Sequence, residues 1–364
     1  MARRLAILTI ATWLAAGPAV RAADTVTRRS DPTHPLTGTI VSESPRGVRI
    51  KVGANAHEIP AEDVLRVRHD IASGPLRREF YTPAFTADER IATAADPKKA
   101  VAEALVSFEK LLAKLSPREE ARVRRNVEFQ VASLTARQAL EQGKSPDAAV
   151  GRLRQFCKKY PDGWQIIPAA KLLGRLLTAE RHYAEAEKAY QELADNAALP
   201  DEARNTLRLL AARVAVRPGN YAEAESKLNA LLQKLPKGSR QALQARVCHA
   251  ECLTAQAKFA EARDELKAVL NEAKGDKELR ARAYNALGRC SYDAKQYKEA
   301  LWDFLRVDVV YYQDPEEHAK ALYHLADLFT KLKDPGRARE SRERLLGKEF
   351  SGTEYQARLL KEQK

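Results

Sequence analysis

The chain has 364 residues, enough for one large or two smaller domains. With 62 Lys and Arg against 49 Asp and Glu it carries a formal charge of +13. Its four cysteines, Cys157, Cys248, Cys252 and Cys290, lie among Ala and Leu in helical patterns. Cys248 and Cys252 are one helical turn apart, which argues against a disulfide framework and for small buried hydrophobes. The basic residues are spread along the chain and interleaved with Glu, as on solvated helix faces, so the charge alone does not indicate nucleic acid.

In chain order, residues 1–22 come first. Arg3 and Arg4 precede an apolar run from Leu5 to Ala16, Gly17-Pro18 breaks it, and Val20-Arg21-Ala22 supplies small residues for processing. The run is too short to span a bilayer, and no cysteine follows for lipidation. The expectation is a signal peptide cleaved near Ala22 and a periplasmic or secreted protein with no transmembrane segment after cleavage. Loss of Arg3, Arg4 and Arg21 would lower the charge from +13 to +10. Residues 34–71 alternate as strands do: Gly38-Thr-Ile-Val41, Val48 to Val52, His57 to Ile59 and Val64 to Val67, with turns at Ser44–Gly47 and Gly53–Asn55. This predicts a small antiparallel β module of four strands that resembles SH3-like or Sm-like folds, with Arg49, Lys51, Arg66 and Arg68 on a basic outer face. Residues 72–87 read as a linker.

Residues 88–350 read as helical. Asp96-Pro97 opens a helix whose stripe is Val101, Leu105, Phe108 and Leu112, and Ser116–Glu120 reads as the next helix start. Then a period appears. Ala149, Ala186, Ala224, Ala262, Ala300 and Ala338 are separated by 37, 38, 38, 38 and 38 residues. Twelve residues before five of them stand Gly174, Ala212, Ala250, Gly288 and Ala326. Four after them stand large residues such as Tyr190, Leu228 and Phe304. Fixed spacing of this size marks stacked helical hairpins, each too small to bury its own apolar face. Small residues mark the crossing of the two helices. Residues 351–364 read as a C-terminal helical tail.

These positions resemble the tetratricopeptide repeat, with units nearer 38 residues than the usual 34, as in exported envelope proteins that carry such repeats. Leu287-Gly288…Tyr297…Ala300…Phe304 is the best match. The resemblance implies a mostly α protein: a right-handed α-α superhelical solenoid preceded by the β module. It also implies that the first helix of each unit lines a concave groove. The groove positions that match here include Lys171, Arg175, Arg213, Arg217, Asn285, Arg289, Tyr292 and Tyr323. Arginines there suit a protein or peptide partner with acidic side chains or a free C-terminus.

No metal-ligand spacing, phosphate loop, nucleophile elbow or Cys–His pattern is present, so no cofactor, metal or enzymatic activity is expected. Two function classes remain. One is a non-catalytic scaffold in the cell envelope that binds a partner in the groove. The other is a basic adaptor that holds an acidic envelope polymer or surface by diffuse charge.

Overall fold

The computed structural model describes residues 23–72, 74–116, 121–142, 145–216 and 220–363. The expected leader, positions 117–120 of the expected helix start, and Arg217 lie outside them. Five strands form the N-terminal module: β1 Asp24–Arg28, β2 Leu36–Ser44, β3 Gly47–Val52, β4 Asn55–Pro60 and β5 Val64–Arg68. The sheet order is β4-β3-β2-β1-β5, antiparallel throughout. The sequence reading missed β1, which starts ten residues before the expected module. Only Val26 in it is strongly apolar, and its partners on both sides are distant in sequence. The β2 strand bends, pairing with β1 through Leu36–Gly38 and with β3 from Thr39 onward. Gly38 sits at the bend, where a Cβ would stand 2.0 Å from the Lys51 carbonyl oxygen.

The expected linker at 72–87 is a correction. A π-type turn, Leu76–Tyr81, continues into α1, Thr82–Arg90. Tyr81 and Phe85 are buried against Phe108 of α2, Pro97–Lys114, in a cluster that extends to Val123, Val127 and Val131 of α3, Ala121–Gln142. Gly74 and Pro75 suggested a linker, but the aromatics behind them have a core to enter. The stripe of α2 runs through Val101, Ala104, Leu105, Phe108 and Leu111, with Leu112 only partly buried.

The hairpins follow: α3 with α4 (Asp147–Lys159), α5 (Ile166–Ala179) with α6 (Tyr183–Ala194), and α7 (Asp201–Val216) with α8 (Tyr221–Leu232). Next come α9 (Arg240–Ala255) with α10 (Phe259–Glu272), α11 (Lys277–Asp293) with α12 (Tyr297–Val310), and α13 (Pro315–Lys331) with α14 (Pro335–Leu345). The six periodic alanines are all 1% exposed or less. At the crossings the small residue meets the large one: a Cβ on Gly174 would overlap the Tyr190 ring, and one on Gly288 would lie 2.9 Å from Phe304. Within four hairpins the first helix ends the same way. Arg181, Ala257, Lys295 and Lys333 adopt a left-handed conformation, φ 61–63°. Each is followed by a residue whose amide donates to a carbonyl five residues back, as Gln296 N does to Ser291 O. This closure leaves the helix ends few orphan carbonyls and sets the turn at one register in each unit. A short helix, α15 (Glu354–Glu362), ends the stack and buries Leu359 with Leu322, Leu345 and Phe350, so the C-terminal tail packs on the last hairpin.

Two long-range contacts give the molecule its form. The β module docks on the solenoid: Val26, Ile40, Ile50, Ile59 and Val67 share one buried cluster with Phe129, Ala136, Trp164 and Ile166. Polar locks reinforce the seam, with Asn126 Nδ2 donating to the Val67 carbonyl at 2.7 Å and Arg125 pairing with Glu43 at 2.9 Å. The superhelix also returns on itself. Arg175 of α5 pairs with Glu316 of α13 at 2.7 Å and donates to the carbonyl of Gly352.

Candidate functional site

The first helices of the units pack on one another along the inner side, as the resemblance implies, but this face is not one open groove. The return of α13 to α5, with the β module over the central units, divides it. Lys171 and Arg213 line a cleft of about 170 Å³ between α5, α7, α9, α11 and two turns of the β module. Arg289, Tyr292 and Tyr323 line a second, of about 330 Å³, between α11, α13, α14 and α15. Arg175 joins neither, being held by Glu316 and Gly352. Asn285 is fully buried and donates to both the carbonyl and the carboxylate of Glu317, so it locks α11 to α13 rather than facing a ligand.

In the larger cleft the expected residues have intramolecular partners. Arg289 pairs with Asp293 at 2.8 Å, the Tyr292 hydroxyl donates to Asp327, and the Tyr323 hydroxyl donates to Glu362 of α15 at 2.7 Å. Arg358 lies over the Tyr323 ring at 4.9 Å. Below them His324 is 6% exposed and stacks on Phe304 at 4.9 Å. Burial, with Lys320, Arg289 and Arg358 adding repulsion, brings its pKa down to about 3. The folded state therefore holds His324 neutral, while the unfolded chain takes up a proton below about pH 6.5. Stability present above that pH is lost as pH falls from 6.5 toward 3. At pH 5 the loss should be about 2 kcal/mol from this group. His69, also depressed by burial, adds in the same direction, whereas His249, raised by its bond to Glu265, opposes it. Urea unfolding of His324→Leu at pH 7 and pH 5 tests this: its acid-induced loss should be smaller than that of the parent by about that amount. An identical loss would mean that His324 titrates normally.

The smaller cleft differs in electrostatics. Among the described residues, no carboxylate lies within ion-pair distance of Lys171, Arg213 or Arg282, and the one hydrogen bond of Arg282 goes to Cys248 Sγ at 3.1 Å. Lys171 keeps solvent access, yet the cleft walls desolvate it, which holds its pKa below the usual lysine range against the attraction of Glu278 and Glu62. Desolvation, then repulsion by Arg282, depresses that of Arg213 as well. Of the acids around the cleft, Glu62 at 2.6 Å and Glu278 at 2.7 Å pair with Arg240, which also holds Asp276 at 2.6 Å, Glu251 pairs with Lys320 at 3.6 Å, and Glu202 lines the cleft as well.

Arg282 and Lys320 escaped the sequence reading. Both lie three residues before a position that it singled out, Asn285 and Tyr323, on the same i, i+3, i+7 stripe of the inner helix face. The basic face expected on the β module is largely consumed. Arg66 pairs with Asp88 at 2.5 Å, Arg68 approaches Glu89 at 4.0 Å, and Arg49 approaches Glu58 at 3.8 Å, so Lys51 remains as its exposed cation without an ion pair. All four cysteines are free and buried, and burial pushes the Cys157 and Cys252 thiols up to about 12. No group of three His, Cys, Asp or Glu able to hold a metal occurs among the described residues, and none of their helices is long and apolar enough to cross a membrane.

This stack of hairpins, with small residues at the crossings and a buried alanine in each second helix, is a tetratricopeptide-like helical solenoid. Residues 171–239 and 253–308 match the sequence model of the tetratricopeptide repeat family. No curated protein matches the chain. Among solved structures the fold is similar to a tetratricopeptide repeat protein from Parabacteroides merdae, with TM-score 0.51 and 15% identity over 79% of this chain and 98% of that one. A Rap protein complexed with competence and sporulation factor aligns with TM-score 0.47 and 15% identity over 74% of this chain and 76% of its own. NprR in complex with its cognate peptide NprX aligns with TM-score 0.46 and 14% identity over 80% and 84%.

Proposed function

We propose that this chain is an exported, non-catalytic scaffold that holds a protein or peptide partner in the cell envelope on the concave side of its solenoid. The leader-like residues 1–22 support export. The observation that carries the binding reading is the set Lys171, Arg213 and Arg282, three cations turned into a partly desolvated cleft without ion-pair partners among the described residues. Arg213, desolvated and repelled by Arg282, gains from an acidic partner. The pairing of Arg66 with Asp88, and the acids Glu89 and Glu58 beside Arg68 and Arg49, lower the net positive charge of the β module and so disfavour the adaptor reading, in which it would hold an acidic polymer by diffuse charge.

Affinity capture from an envelope extract at low and moderate salt tests the proposal. One or two proteins should be retained at moderate salt and lost with Arg213→Glu and Arg282→Glu, while the helical circular-dichroism signal is unchanged. Heterogeneous acidic material released by salt from parent and variant alike would replace the scaffold reading with the diffuse-charge one.

A further inference from the structure

Two faces of α12 are apolar, and the fold uses one of them. Ala300, Phe304 and Val307 point into the stack and are fully buried. On the opposite face Trp302 is 65% exposed and Val309 66%, with Leu305 half-buried between them. Their three- and four-residue intervals make one helical stripe, which Val310 and Tyr312, both exposed, extend at the C-terminal end. A helix apolar on both faces normally has a neighbour on each. The first helices of successive units pack on one another, whereas the second helices stand further apart, so this stripe lies on the outer side of the stack.

The repeat does not ask for these residues. Two positions after the periodic alanine the other units carry Gly151, Lys188, Ser226, Asp264 and Glu340, where this one has Trp302. Nine positions after it they carry Lys158, Asp195, Gln233, Asn271 and Gly347, where this one has Val309. Six hairpins share one packing scheme, so large apolar groups on the outer face of one of them answer a contact outside the chain. The border of the stripe says what kind. Arg263 of α10 donates to Gln296 at the start of α12, and Arg344 of α14 pairs with Asp308, so these two helices flank it. Across the three helices Lys267, Lys298 and Arg306 are matched by Asp264, Glu299 and Glu340, all exposed. An acidic bilayer draws a border of cations. A border of both signs suits a surface that meets its own copy, because a two-fold contact sets each cation near an anion of the other chain.

We propose that the outer face of α12 is a homodimer interface, in which the stripe of one chain packs antiparallel on the same stripe of a second copy. The two-fold axis falls midway between Trp302 and Val309, beside Leu305, so each Trp302 meets Val309 of the second copy. That register brings Glu299 to Tyr312 of the second copy, whose hydroxyl can donate to it. The exposed apolar area, roughly 400 Å² per chain, forms the core of the contact, and with its charged border it approaches the roughly 800 Å² per partner of a stable interface. Two solenoids joined by their outer faces turn their concave sides away from each other, so the dimer presents two of whatever site those sides hold. The interface is independent of that site.

Sedimentation equilibrium of the purified protein, from about 1 to about 100 μM, tests this. The mass of the parent should rise from one chain to two with concentration. Trp302→Glu should weaken the association at least about thirtyfold, the effect of losing a central aromatic. Its circular-dichroism signal and thermal midpoint should be unchanged, because the side chain lies outside the core. Val309→Glu should act alike and serves if the first variant misfolds. Lys188→Glu, at the equivalent position of α6, should leave the dimer intact. Leu305→Cys, nearest the axis, should link the two chains on mild oxidation, since the four native cysteines are buried. A single chain at every concentration, or a dimer that survives both glutamates, would overturn the proposal. So would a monomeric parent that binds phosphatidylglycerol vesicles through Trp302. A dimer in which Leu305→Cys forms no link would overturn the antiparallel register.

Discussion

Replacing Arg125 with alanine should destabilise the protein by about 3–5 kcal/mol, the usual cost of leaving a buried charge without its partner. Arg125 joins α3 to the β module through Glu43, whose side chain is 4% exposed. The other carboxylate oxygen of Glu43 lies 3.3 Å from Nε2 of His69, which is itself buried and which burial holds toward the neutral form. Neither His69 nor water can take the place of the guanidinium. The double replacement Arg125→Met with Glu43→Gln should recover a large part of the loss, because it removes both charges and keeps the volume. Urea titration followed by the fluorescence of Trp164, 1% exposed and packed edge-on to Phe129 in the same seam, measures both variants. A loss below about 1 kcal/mol for Arg125→Ala would show that the seam is solvated and that the β module is loosely held.

The second large effect is expected at a repeat crossing. Gly288→Leu should cost about 1–3 kcal/mol or more through overpacking. Even a Cβ there would stand 2.9 Å from two ring atoms of Phe304. That ring has no room to retreat, being fully buried and stacked on His324 at 4.9 Å. Lys298→Ala, on the exposed face of α12, is the matched control and should change stability by less than about 0.5 kcal/mol. Combining Gly288→Leu with Phe304→Ala should restore part of the loss, since the new side chain enters the volume that the ring vacates. Equal and small effects at positions 288 and 298 would remove the crossing from the account of the fold.

The repeat was legible because its cause is local. A hairpin that must bury one face against the next repeats the same small and large residues at the same register, and a period of 38 residues exposes that register without an alignment. The β strands were legible in part. Where apolar residues alternate, as in Val48–Val52, the strand was readable, whereas Asp24–Arg28 has one strong apolar residue and becomes a strand only because β2 and β5 flank it. The stretch after Ala72 misled because Gly74-Pro75 is a turn signal, while the burial of Tyr81 and Phe85 depends on α2 and α3 arriving later in the chain.

The candidate site divides in the same way. That Lys171, Arg213, Arg289, Tyr292 and Tyr323 lie on the first helices of their units follows from position within the repeat, which the sequence by itself determined, and the resemblance implied that this face is the inner one. Which of them remain available did not. Arg175 was taken by Glu316 and Gly352 because the superhelix turns far enough to bring α13 and the following turn back to the early units, and Asn285 was taken by Glu317 of the adjacent unit. Closure of the cleft over Arg213 and Arg282 was likewise decided by the docking of the β module. Both are contacts between segments more than a hundred residues apart. Periodicity reports how a helix meets its neighbour, and only the accumulated twist and the packing of a separate sheet decide where distant units meet.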